Sequence, residues 1–149
     1  MWNLRPTGLA LPGTDEMKSV LLVDDDNAVL LTIGVRLKGM GYTVYTAKDA
    51  VNAVSAVRIN RPDVVVLDIS LPAGDGFTVA DRLQKMIGSA ATPLIFITAS
   101  ENPQLRTRAM QMGGTAFLLK PFDATQLADA IEMAMSPGDN WLSSTQAVK

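Results

Sequence analysis

Asp24, Asp25 and Asp68, with Thr98 and Lys120, are the side chains of this sequence best suited to chemistry. Carboxylates gathered at one place repel one another unless a cation or a proton offsets them. The chain contains neither histidine nor cysteine, and an oxygen-only ligand set favours Mg²⁺ over a transition metal. Such an ion takes one or two carboxylates, keeps several waters and accepts phosphate oxygens. A carboxylate can also attack phosphorus and form an acyl phosphate, with Lys120 and Thr98 placed to bind the phosphoryl oxygens. The missing histidine excludes histidine-based catalysis and a phosphohistidine intermediate within this chain. The missing cysteine excludes disulfides and thiolate metal sites.

These residues can cooperate only if the fold brings them together. From Ser19 onward, short apolar runs alternate with segments of helical period, which predicts an α/β architecture. The runs Val20 to Val23, Tyr42 to Thr46, Val64 to Leu67, Leu94 to Ile97 and Ala116 to Leu119 read as five strands. The third is apolar throughout, as a strand covered on both faces should be, whereas the second mixes in polar residues and reads as an edge. Helical spacing is clearest in Val79, Ala80, Leu83, Met86 and Ile87, in Leu105, Ala109 and Met112, and in Leu127, Ile131 and Ala134. Gly41, Gly88 and Gly113-Gly114 stand where helices should stop, and Pro62 and Pro93 precede strands. Met110, Met112, Met133 and Met135 read as packing residues.

Five strands alternating with five helices predict a doubly wound, flavodoxin-like (βα)5 fold with a parallel sheet in the order 2-1-3-4-5. Ligands of such sheets sit outside the carboxyl ends of the strands at a switch point. Asp24, Asp25, Asp68, Thr98 and Lys120 all fall at those ends, so one rim collects the chemistry. Asp26 reads as an N-cap of the first helix. Asp75-Gly76 by itself reads as a turn.

The fragments LLVDDD, VVVLDISLPAGDG, IFITAS and LLKPF occur in the order and context of response-regulator receiver domains, and the chain from about 18 to 135 resembles that family. The resemblance implies Asp68 as phosphoacceptor, Asp25 as a direct Mg²⁺ ligand, Asp24 acting through water and the Ser70 carbonyl as a further ligand. It implies that Thr98 binds a phosphoryl oxygen, that Lys120 pairs with the phosphate and that Lys120-Pro121 is cis. In the resembling family the phosphoryl group draws the threonine hydroxyl inward, and an aromatic residue of the fifth strand, here Phe117, turns toward the space. The face made by the fourth helix, fifth strand and fifth helix then changes its affinity for a partner. Phe117 as ordinary core is the competing reading. Ser70 and Ser100 occupy positions that affect phosphate lifetime in the family. The stretch KPFDATQLADAIEM lacks the Glu before Leu127 and the following Arg of receivers that dimerise to bind DNA, so dimerisation of that type is not expected.

The rest of the chain bounds this reading. Residues 1–18 read as a flexible leader, of which the first 16 resemble an extension ahead of a natural start at Met17. Residues 19–135 read as the receiver-like domain, and 136–149 as a tail or the start of a linker. With 13 basic and 15 acidic residues the net charge is −2, so direct nucleic-acid binding is not expected. No apolar run is long enough to span a bilayer, and a cytoplasmic location fits. The phosphodonor is expected to be a separate histidine kinase or histidine phosphotransfer protein. Output is expected through a downstream protein target, or through an effector domain if the chain is a piece of a longer protein.

Three other readings compete. A haloacid-dehalogenase-like phosphohydrolase would use Asp24 as nucleophile, but it needs a later acidic pair at a strand end. A flavodoxin-like electron carrier conflicts with three aspartates where a cofactor phosphate should sit. A receiver-shaped adaptor working without phosphorylation would have no need for the five site residues.

Overall fold

The computed structural model describes residues 17–70, 76–87 and 92–136. The elements alternate as β1 (Ser19–Val23), α1 (Asn27–Gly39), β2 (Thr43–Ala47), α2 (Ala50–Asn60), β3 (Val64–Asp68), α3 (Gly76–Ile87), β4 (Leu94–Thr98), α4 (Pro103–Gln111), β5 (Ala116–Leu119) and α5 (Ala124–Met135). All strand pairings are parallel, in the order β2-β1-β3-β4-β5.

Local chemistry starts each helix. The Asp26 side chain accepts from the Ala28 amide at 2.8 Å and caps α1, and Asp49 accepts from the Asn52 amide at 2.8 Å to cap α2. Asn102 caps α4 with Pro103 behind it. Asp123 and Gln126 form a reciprocal capping box on α5. These bonds satisfy amides that the first helical turn leaves unpaired. Gly41 and Gly113 take φ of 102° and 90° just beyond α1 and α4, a backbone region that glycine enters without steric cost. Gly88 lies outside the described residues, as do residues 1–16 of the leader and all of the tail after Ser136.

Alternation along the strands divides the core in two. Leu21, Val65, Leu67, Phe96 and Phe117 face a layer built by α2, α3 and α4, including Ala53, Val57, Leu83 and Ala109. Val20, Leu22, Val66, Ile95 and Ile97 face α1 and α5, including Leu30, Ile33, Leu37, Leu127 and Ile131. Every residue of β3 is buried, whereas β2 is mostly half-buried and lies at the edge.

Three expectations need correction. The second strand runs one residue later than Tyr42 to Thr46, because Tyr42 donates its amide to the Leu37 carbonyl and belongs to the turn after α1. Met133 is 38% exposed on α5 rather than packed; Met112 and Met135 do pack against the two cores. Gly76 is the first residue of α3, not merely a turn residue.

Candidate functional site

Register places the chemistry. Val23 is level with Leu67, Asp68 with Ile97, and Thr98 with Leu119. Asp24, Asp68, Thr98 and Lys120 therefore arrive at neighbouring strand ends. Asp24 and Thr98 are fully buried and Asp68 nearly so, while Asp25 is exposed. Carboxylate oxygens of Asp24, Asp25 and Asp68 lie within 4.8 Å of one another.

Backbone amides orient the acids. One Asp24 oxygen accepts from the Asp26 amide at 2.9 Å, and one Asp68 oxygen accepts from the Ser70 amide at 2.9 Å. The other oxygen of each faces Lys120, whose Nζ lies 2.7 Å from Asp24 Oδ2 and 3.3 Å from Asp68 Oδ2. The buried Asp24 Oδ2 thus has the Lys120 ammonium as its partner. Thr98 Oγ1 accepts from the Ser100 amide at 3.1 Å and lies 3.5 Å from the Ser70 hydroxyl. The Lys120-Pro121 bond is cis.

Burial pushes the Asp24 carboxyl above its ordinary range, against the lowering effect of Lys120 and the Asp26 amide, and the Asp68 charge adds to the rise. For Lys120 burial acts downward, but the bond to Asp24 and the charges of both acids outweigh it and raise the ammonium. The signs differ in consequence. Lys120 contributes stability below its unfolded value of 10.5 that is lost as pH rises through the folded value. Asp24 contributes stability only while protonated, so its share falls as pH climbs from 3.8 through the folded value. Asp24→Asn is accordingly expected to leave the metal-free protein at least as stable as the parent near neutral pH. Urea unfolding with a chelator present checks this; a less stable variant would show that ionised Asp24 is a net stabiliser.

The donor set fits a hard divalent cation. Three carboxylates converge, and among the described residues the one ammonium beside them cannot neutralise all three charges. Asp24, Asp25 and Asp68 would hold such an ion.

Sequence reasoning missed the role of Gly76. A Cβ there would stand 2.5 Å from the Asp68 carbonyl oxygen and 2.6 Å from Ile69 Cα, so α3 begins directly against the backbone of the central acid. The Gly76 amide donates to the Ile69 carbonyl at 2.8 Å and fastens this approach. Phe117 is buried in the core cluster that includes Phe96 and Ala109.

A parallel sheet in this order with acids, a hydroxyl and a lysine at its carboxyl rim defines a receiver fold. The response regulator receiver domain family matches residues 20–132, and the chain belongs to it. It is 32% identical over 111 residues to the DNA-binding dual master transcriptional regulator RpaA of Synechocystis, covering 74% of this chain and 46% of that protein. It is 34% identical over 113 residues to the transcriptional regulatory protein PrrA of Mycobacterium tuberculosis, covering 76% and 48%. The chain thus spans about half the length of these curated relatives. Among solved structures, the chemotaxis response regulator CheY4 of Vibrio cholerae superposes with a TM-score of 0.74 at 27% identity, over 80% of this chain and 99% of that one. The non-phosphorylated HemR receiver domain of Leptospira biflexa gives 0.73 at 34% identity, over 82% and 97%. Receiver domains are signalling phosphoacceptors that work with histidine kinases and generally bind Mg²⁺ at an acidic cluster. Among the described residues no helix is long and apolar enough to cross a membrane.

Proposed function

We propose that residues 19–135 accept a phosphoryl group on Asp68 from a phosphohistidine of a separate histidine kinase or phosphotransfer protein. The observation that carries this reading is the buried Asp68 carboxylate, which clusters with the acids Asp24 and Asp25 and lies 3.3 Å from the Lys120 ammonium. An Asp68 carboxylate oxygen attacks phosphorus, the phosphorus–nitrogen bond breaks, and the imidazole leaves with its electron pair and takes up a proton. Asp25 would hold Mg²⁺ directly, Asp24 through water, with Asp68 and the Ser70 carbonyl completing the protein's share. When bound, Mg²⁺ supplies charge neutralisation for the acids and the phosphoryl oxygens.

Lys120 then exchanges its pairing with Asp68 for a phosphoryl oxygen, and the Thr98 hydroxyl donates to another. This contact draws on a hydroxyl already near Ser70, so Thr98 is the lever that couples phosphorylation to Phe117 and to the face of α4, β5 and α5. The new charge biases two packings of that face rather than building a new fold. Its readout is a protein target or an effector domain in trans or beyond residue 136; the DNA-binding role named for RpaA is proposed for this chain only through such a domain. The chain is a signalling acceptor, not a turnover enzyme.

Incubation with acetyl phosphate and Mg²⁺ tests the reading. Expected is one phosphoryl group per chain by intact mass and no sustained hydrolysis of p-nitrophenyl phosphate. Sustained turnover of that ester would favour the phosphohydrolase with Asp24 as nucleophile. Absence of any label on folded protein would favour the phosphorylation-independent adaptor.

A further inference from the structure

We propose that the open edge of β2 is a docking site for an extended segment of a partner protein in which apolar and acidic side chains alternate. Among the described residues β2 pairs only with β1. The Thr43 amide donates to the Lys18 carbonyl and the Ala47 carbonyl accepts from the Asp24 amide, so the parallel ladder turns the backbone groups of Val44 and Thr46 outward. A hollow flanks the strand on each face. Toward α1 lies a groove of about 400 Å³ walled by Leu31, Val35 and Val44, with Lys38 and Lys48 beside it. Toward α2 lies a more polar hollow of about 290 Å³, lined by Thr46, Lys48, Asn52 and Ser55 among others.

Hollows on both faces discriminate between occupants. A helix laid along this edge fills one of them, whereas a strand added to β2 sends alternate side chains into both. Apolar side chains match the α1 groove, whose Leu31 and Val35 are 69% and 57% exposed. Acidic ones match Lys48 and the hydroxyl and amide groups on the α2 side. Neither lining includes an acid, and among the described residues neither Lys38 nor Lys48 forms an ion pair. A second copy paired through its own β2 edge would set lysine against lysine, so the complementary occupant is a different, acidic segment.

Gly34 gives independent support. It stands in the middle of α1, where alanine is the better helix former, and a Cβ there would meet only Val44 Cγ1 at an ordinary 3.8 Å. Packing does not require the glycine. Its effect is to keep the floor of the groove low.

The test is titration of the full chain, ¹⁵N-labelled, with a synthetic peptide of alternating valine and glutamate, and separately with its valine–lysine counterpart. Expected are shifts and slowed hydrogen exchange at the Val44 and Thr46 amides with the glutamate peptide, and binding about tenfold or more weaker for the lysine peptide. Gly34→Ala should raise the melting temperature while weakening the glutamate peptide about tenfold, and Lys48→Glu should reverse the preference. Perturbations confined to other elements, or equal affinity for the two peptides, would overturn the proposal. So would concentration-dependent dimerisation that protects the same amides without peptide, which would assign the edge to a second copy.

Discussion

Asp68→Asn is expected to reduce Mg²⁺-dependent phosphoryl labelling to background while leaving the protein folded. Asparagine keeps an oxygen able to accept from the Ser70 amide and has nearly the same volume, so the end of β3 retains its geometry. It cannot act as the nucleophile, and it removes one of the three charges that gather the cation. Lys120 keeps its closer partner, Asp24. The expected pair of results is therefore an unaltered circular dichroism spectrum and complete loss of the acetyl-phosphate adduct. A variant that still labels at the wild-type rate would place the acceptor elsewhere, with Asp24 the first alternative.

Gly76→Ala carries the largest expected cost to stability. The added methyl would press on the Asp68 carbonyl oxygen and Ile69 Cα, both main-chain atoms of a buried segment that cannot rotate aside. Relief requires the start of α3 to move from the end of β3, which strains the Gly76–Ile69 hydrogen bond and disturbs Phe77, packed 5.6 Å from Phe96 between ring centres. Overpacking of this kind costs about 2 kcal/mol, a fall in melting temperature of roughly 5–10 °C for a domain of this size. Labelling should slow as well, because the same backbone carries Asp68. Gly39→Ala is the matched control: a Cβ there meets nothing within 4 Å, so the substitution should be neutral or mildly stabilising. Equal effects at the two positions would show that the close approach at Gly76 is not sustained in solution.

Much of this architecture was legible before any coordinates. Val64 to Leu67 has no polar residue because β3 is covered on both faces, and Tyr42 to Thr46 is mixed because β2 lies at an edge; both follow from how much water each strand meets. Asp26 reads as a cap because its oxygen has an adjacent amide to bind, a strictly local event. The rim residues were legible because a parallel sheet sends every strand's carboxyl end to one side. What the sequence concealed depends on distant parts of the chain meeting. The bond between Lys120 and Asp24 joins residues 96 apart, and the resemblance points Lys120 only toward phosphate. Gly76 resembles any turn glycine until α3 is seen against the backbone of Asp68. Met133 reads as packing from its residue type alone; it lies off the Leu127, Ile131 and Ala134 stripe and is 38% exposed on α5.

The central claim is that Asp68, and not another acid of the cluster, carries the phosphoryl group. Borohydride reduction of the freshly labelled protein converts an aspartyl phosphate to homoserine, and peptide mass spectrometry then reads its position. Homoserine at position 68 alone, formed only when Mg²⁺ was present during labelling, is the predicted result; homoserine at position 24 or 25, or reduction at no aspartate of a labelled chain, would contradict it.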